Sequence, residues 1–318
     1  MARNLKYFLI SLVLSLPFWW GIKSFSANLD DFFYYRELTV NPKILTARAN
    51  QLAFEENLKN LKPIRQAQVP SLTLNAKSAI SLLVDDQGEG RILFNRTVNE
   101  PLPIASLTKL MTALVVLKKY DLAKEIKISK EAVSMEENLG KLNVGEMLSV
   151  EYLLYPLLME SSNDAAFALA NDYDGMNAEA FVELMNAEAQ KLGLKNTHFV
   201  NVTGLDPENL AEINYASAYD LTMLAQELLK SPLIRQIFST AKINLYGPEL
   251  INSNGFLGRI PGVIGGKTGY TERALGCFLL IFEAPKANQY LINVILGADD
   301  RSVEMEKLIN WLNEAYKW

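Results

Sequence analysis

One cysteine and one histidine, Cys277 and His198, stand in the 318 residues of this chain. A single thiol rules out a disulfide framework and a Cys-based metal site, and a single imidazole leaves a zinc centre short of ligands. The sequence therefore calls for no metal and no cofactor. It also lacks any G-x-S-x-G elbow, which together with the shortage of histidine argues against a Ser-His-Asp hydrolase. A surplus of basic residues is missing too: the formal charge is −5, whereas a nucleic-acid binder needs a basic surface. No internal repeat and no low-complexity tract is visible. Hydrophobic residues make up 49% of the chain, enough to bury a substantial core in one main domain with additions. Cys277 reads as a small apolar group in a strand, and His198 as a structural residue.

Against these absences stand three short motifs in fixed order: Ser106-Leu107-Thr108-Lys109, Ser161-Ser162-Asn163 and Lys267-Thr268-Gly269. A nucleophilic serine needs a base within hydrogen-bond reach, and Lys109 can replace histidine. Residues i and i+3 share a helix face, so Ser106 and Lys109 can meet. Leu107, Leu110, Met111, Leu114, Val115 and Leu117 recur at helical steps after Pro103, which predicts a helix with Ser106 at its N-terminus. There, free N–H groups and the positive dipole end favour an oxyanion, while apolar surroundings would lower the lysine pKa. A serine at a helix start is equally an ordinary cap. The four-residue pattern is weak alone, because Ser239-Thr240-Ala241-Lys242 also fits it. That copy leads into the alternating Ile243 and Leu245, which read as a strand, and is treated as chance.

The second motif falls in a break between two apolar helical stretches, residues 151–159 and 164–170. It reads either as capping or as a polar cleft wall, with Ser161 relaying protons to a leaving amine and Asn163 holding a substrate amide. Ser26-Ala27-Asn28 matches too, but it precedes the nucleophile and adjoins the apolar N-terminus. The third motif follows Gly265-Gly266 and opens a three-strand meander continued by residues 277–282 and 291–296. A glycine there lets a ligand backbone pair closely, and Lys267 supplies fixed positive charge for a carboxylate.

From about Asn75 onward the chain resembles the serine D-alanyl-D-alanine carboxypeptidases, the low-molecular-mass penicillin-binding proteins. The likeness rests on the three motifs and on their surroundings. These are Ala105 through Thr112, the Ser161 to Ala166 run SSNDAA, His198-Phe199 leading to Gly204-Leu205-Asp206, Ser217-Ala218-Tyr219-Asp220-Leu221, and Leu296-Gly297-Ala298 with Arg301. The resemblance implies Ser106 as nucleophile, Lys109 as base, and Ser161 and Asn163 as relay and positioning groups. Lys267, Thr268 and Arg301 become carboxylate and backbone anchors. The N–H groups of Ser106 and Tyr270, the residue after Gly269, become the oxyanion hole. The implied substrate is a peptidoglycan stem peptide, cleaved at its terminal D-Ala through an acyl-enzyme, with β-lactams as covalent inhibitors.

The fold expected is α+β, a β-lactamase/penicillin-binding-protein-like architecture. Residues 79–84 and 91–94 form a hairpin that joins the three late strands in a five-stranded, mostly antiparallel sheet. A terminal helix through Met305, Leu308, Ile309 and Leu312 covers one face, and a helical region from Ser106 to about Leu233 covers the other. Two alternatives share the fold, a DD-endopeptidase and a β-lactamase. Class A β-lactamases place a Glu four residues before an Asn between the second and third motifs, and none stands so here. A third alternative, an inactive wall-binding protein, conflicts with the intact Ser106, Lys109, Ser161 and Lys267.

Residues 7–22 form an apolar run between Lys6 and Lys23, with Arg3 upstream. These flanks predict a cytoplasmic N-terminus and export of the remainder. Residues 1–26 read as a signal peptide or signal-anchor: cleavage near Ser26 gives a secreted protein, retention an extracytoplasmic, membrane-anchored one. Residues 27–74 read as a juxtamembrane connector with an amphipathic helix carrying Ile44, Leu45, Leu52, Leu58 and Leu61. Residues 75–318 read as the catalytic domain.

Overall fold

The computed structural model describes residues 63–318, except positions 86, 136–141, 174, 208–211, 246 and 287, together with residues 29, 48, 50 and 51. The apolar run 7–22 and the five apolar connector positions lie outside the described residues. Among the described residues no helix is long and apolar enough to cross a membrane. The chain divides into residues 1–64 and 65–318, and the elements of the catalytic fold belong to the second unit.

Five antiparallel strands form the central sheet: β1 (Ser78–Val84), β2 (Gly90–Arg96), β3 (Val263–Thr271), β4 (Leu275–Glu283) and β5 (Tyr290–Ala298), in the order β3-β4-β5-β1-β2. Every pairing is antiparallel, which sharpens the expectation of a mostly antiparallel sheet. The two-residue period of a strand sends alternate side chains to opposite faces. Ile80, Leu82, Cys277, Leu279, Ile281, Ile292 and Val294 enter the larger core with the helices. Their neighbours Ala79, Leu83, Phe278, Leu280, Leu291 and Ile295 join Met305, Leu308, Ile309 and Leu312 in the smaller one.

That second core is closed by the terminal helix, Arg301–Ala315. Its start is fixed by Asp300, whose carboxylate accepts from Ser302 N at 2.9 Å and Val303 N at 3.1 Å. On the opposite face lie α1 (Thr108–Lys119), α2 (Val150–Met159), α3 (Asn163–Asn171), α4 (Ala178–Lys191), α5 (Ala218–Leu228) and α6 (Pro232–Ser239). The terminal helix is α7. Burial of α1 from Thr108 through Val116 on all sides makes it the central post of this layer, as an all-round apolar helix must be.

The start of α1 differs from the sequence expectation. Residues Ala105–Leu107 form a 3₁₀ turn, and the α-helix begins only at Thr108. Ala105 sits at φ 47°, a left-handed conformation that costs about 1–3 kcal/mol and persists only where its surroundings enforce it. The chain therefore enters α1 through a bent, strained turn that carries Ser106. Gly204 presses against that turn. A Cβ on it would stand 2.0 Å from Ala105 O and 2.9 Å from Thr108 Oγ1, so no side chain fits.

Candidate active site

Ser106 is half-buried on the 3₁₀ turn and is the N-cap of neither that turn nor α1, which start from Ile104 and Leu107; capping does not explain it. Lys109, one turn further, is fully buried. Its Nζ lies 3.0 Å from Ser106 Oγ, 2.8 Å from Asn163 Oδ1 and 2.7 Å from Thr203 O. Burial pushes the Lys109 pKa well below its usual value, nearby Lys267 pushes it further, and Asp164 opposes them. Neutral and charged forms differ in geometry: an uncharged amine has two N–H donors and one lone pair. Asn163 Oδ1 and Thr203 O take the two donors, so the lone pair is left facing the Ser106 hydroxyl. This is the arrangement of a general base beside its nucleophile.

The acceptors around Lys109 come from different parts of the chain. Asn163 opens α3. Thr203 belongs to a loop held by Asn214, whose Oδ1 accepts from Val200 N at 2.7 Å and whose Nδ2 donates to Thr108 Oγ1 at 2.8 Å. The two readings of the second motif separate by residue. Ser162 performs the capping: its Oγ accepts from Ala165 N at 3.0 Å and donates to Asp164 Oδ1 at 3.1 Å. Ser161 stands just before it at φ 65°, half-buried and outside the hydrogen-bond set of Lys109.

The third motif lies on β3, the sheet's edge strand beside the Ser106 turn. A Cβ on Gly269 would stand 3.0 Å from Ser106 N and 3.2 Å from Ala105 Cβ. Glycine is thus what lets the strand approach the nucleophile. Lys267 is fully buried and donates to Thr268 O at 2.8 Å. Burial first, and the Arg301 charge second, lower its pKa to about 7. This corrects the expectation of a fixed charge, because at neutral pH Lys267 titrates. Thr268 Oγ1 pairs with Ser253 Oγ at 3.0 Å. Tyr270 is 56% exposed, so its ring faces solvent and only its backbone is available to the site.

Arg301 occupies the first turn of α7, and its guanidinium donates to Gly269 O at 3.3 Å. The acids beside it are engaged elsewhere: Asp300 caps α7, and Asp299 accepts from Asn75 Nδ2 at 2.9 Å. Its Nε is buried without a partner. The guanidinium therefore serves the Lys267–Gly269 end of the cleft and is no mere surface ion pair.

The second S-x-x-K copy is not a site. Ser239 ends α6 and donates back to Gln236 O at 3.1 Å, and Lys242 pairs with Glu249 at 3.6 Å. Cys277 is buried, its thiol pushed up to about 12 by burial. His198 is exposed, and its backbone bridges to Tyr215. Among the described residues no group of three or more His, Cys, Asp or Glu could hold a metal. Two contributors escaped the sequence reading. Thr203 acts through its carbonyl, which no side-chain pattern reveals. Ser253 had only the faint signal of an Asn-Ser-Asn triplet.

A buried lysine against a serine, an edge strand closing on that serine, and two basic side chains at one end bring together the parts that a serine acyl transfer needs. The D-alanyl-D-alanine carboxypeptidase family matches residues 64–300, and the chain belongs to that family. It is 36% identical over 259 residues to D-alanyl-D-alanine carboxypeptidase DacF of Bacillus subtilis, covering 77% of this chain and 64% of the relative. It is also 36% identical over 245 residues to a D-alanyl-D-alanine endopeptidase of Pseudomonas aeruginosa, covering 73% of this chain and 76% of the other. Among solved structures, a D-alanyl-D-alanine carboxypeptidase from Mycobacterium tuberculosis superposes with a TM-score of 0.70 at 27% identity, over 79% of this chain and 95% of that one. A variant of the Streptomyces K15 DD-transpeptidase gives 0.69 at 27% identity, over 77% and 99%. The fold is that of the penicillin-binding proteins.

Proposed function

We propose that this chain is a serine D-alanyl-D-alanine carboxypeptidase that removes the terminal D-Ala from peptidoglycan stem peptides. One observation carries the reading: the fully buried amine of Lys109 stands 3.0 Å from Ser106 Oγ. Lys109 takes the hydroxyl proton as Ser106 Oγ attacks the penultimate D-Ala carbonyl. The resulting oxyanion lies between the N–H groups of Ser106 and Tyr270. Collapse breaks the peptide bond as the proton held by Lys109 passes, by way of Ser161, to the leaving amine, which leaves Lys109 neutral again. Water then attacks the ester with Lys109 again as base, releasing the shortened peptide and restoring Ser106. Lys267, Thr268 and Arg301 hold the terminal carboxylate, which favours an exopeptidase. The Pseudomonas relative carries the name endopeptidase, so internal cleavage is the second reading.

The same hydroxyl should be trapped by β-lactams. Fluorescent penicillin should label the protein at Ser106, and Ser106→Ala should abolish labelling; a label mapping to Ser239 would overturn the assignment. Product analysis on a defined pentapeptide should show free D-Ala. Release of cross-linked peptide instead would favour the endopeptidase. The apolar run 7–22 between Lys6 and Lys23 supports anchorage by the N-terminus with the catalytic domain outside the membrane.

A further inference from the structure

The loop before β3 ties together the two walls of the cleft. Ser253 N donates to Met159 O at 2.8 Å, at the end of α2 and two residues before Ser161. Glu160, next along, accepts from Ile251 N at 3.1 Å. On the other wall, Ser253 Oγ stands 3.0 Å from Thr268 Oγ1. The loop holds its shape without help from the Ser253 side chain. Asn252 Nδ2 donates to Thr240 O at 3.0 Å, Asn252 Oδ1 accepts from Asn254 N at 3.0 Å, and Asn254 Oδ1 accepts from Phe256 N at 3.1 Å. These amide bonds thus serve the backbone, whereas among the described residues the exposed Ser253 hydroxyl has the Thr268 hydroxyl as its hydrogen-bond partner.

A hydroxyl rotor has one proton, and its direction decides what it can bind. A threonine that must donate to a carboxylate needs its lone pair, and not its proton, engaged by its neighbour. We propose that Ser253 is a positioning residue for substrate binding: its hydroxyl donates to Thr268 Oγ1 and turns the Thr268 proton toward the substrate's terminal carboxylate. The inference rests on the carboxypeptidase reading and extends it to a residue outside the three motifs. The role suits a site where Lys267 is only partly charged at neutral pH, because a neutral donor aimed in advance holds the anion whichever state Lys267 is in. The Met159 bond is donated by the Ser253 backbone N–H and is kept in alanine and threonine variants, so the hydroxyl can be removed alone.

The experiment compares Ser253→Ala and Ser253→Thr with the wild-type full chain on a pentapeptide ending in D-Ala-D-Ala, alongside thermal melts. The alanine variant should raise KM about five- to tenfold, the effect of losing one hydrogen bond, with kcat within twofold and an unchanged melting temperature. Threonine, which keeps the hydroxyl, should restore KM. A KM within twofold of wild type for Ser253→Ala would overturn the inference. So would a lowered melting temperature with joint loss of kcat and KM that threonine does not repair, which marks a purely structural role. Were the wild type to release no D-Ala, the carboxypeptidase reading would fail by itself. The same comparison would then be read from the rate of acylation by penicillin, whose carboxylate would occupy that end of the cleft.

Discussion

Lys109, Lys267 and Arg301 place three basic groups in one cleft, and burial decides which of them are charged. Lys267, with a pKa of about 7, must be protonated to attract a carboxylate, so its contribution to kcat/KM declines as pH rises through that value. Lys109 must be unprotonated to act as base, so activity falls again on the acid side. Replacing Arg301 by Gln removes the smaller cause of the Lys267 shift and leaves burial in place. The alkaline limb of the kcat/KM profile should therefore move to higher pH in Arg301→Gln, alongside weaker binding; an unmoved limb would remove Arg301 from the electrostatics of Lys267. A stability consequence has a definite sign. Between about 7 and Lys267's unfolded value of about 10.4, the unfolded chain binds the proton and the folded chain does not, so stability rises with pH across that window. Below it, the buried charge costs stability in full. Lys267→Met should raise the melting temperature at pH 6 by about 2–4 °C, the shift expected for roughly 1 kcal/mol in a domain of this size. It should also flatten the pH dependence while impairing substrate binding. That Ser106, Lys109 and Asn163 come together was legible from the ordered motifs, because a lysine one turn after a serine shares its helix face. The ionisation of Lys267 was not, since burial is a property of the assembled layers.

At the level of elements, the site depends on the edge strand β3 standing against the 3₁₀ turn. Gly269→Ala would drive a methyl into Ser106 N, 3.0 Å from its Cβ position. The turn would have to give by a few tenths of an ångström, a fraction of the 1 Å misplacement that can cost about 10²-fold in rate. Acylation by penicillin should fall roughly tenfold in Gly269→Ala, while the melting temperature changes by only a few degrees. An acylation rate within a few-fold of wild type would mean that the contact is slack. Apolar runs disclosed β4 and β5, the glycine-flanked Lys267-Thr268-Gly269 before them disclosed β3, and helical steps disclosed α1 and α7, because these signals are written in side chains. The bent entry to α1 was hidden, since the left-handed Ala105 is imposed by Gly204 and by β3 from far along the chain. The division of labour between Ser161 and Ser162 was hidden likewise: both can cap, and only the backbone path at φ 65° selects one.

For the whole molecule, the sheet, its two cores and the cleft all lie within residues 65–318. A chain lacking residues 1–62 should therefore fold, bind penicillin at Ser106 and release D-Ala with kcat within about twofold of the full chain. It should also fail to sediment with membranes, which would test the anchoring proposal separately from catalysis. Loss of folding in that truncation would assign the N-terminal residues a structural part. The approach of Gly269 to Ser106 also bears on how such a cleft can change over generations. Most binding sites adapt by exchanging side chains, but here the strand nearest Ser106 is bare main chain, and an added methyl would press on the turn. Under the proposed function, a change in that strand would disturb a β-lactam and the substrate it imitates alike. Escape is left to side chains further from that strand, whose exchange does not press on the reacting atoms.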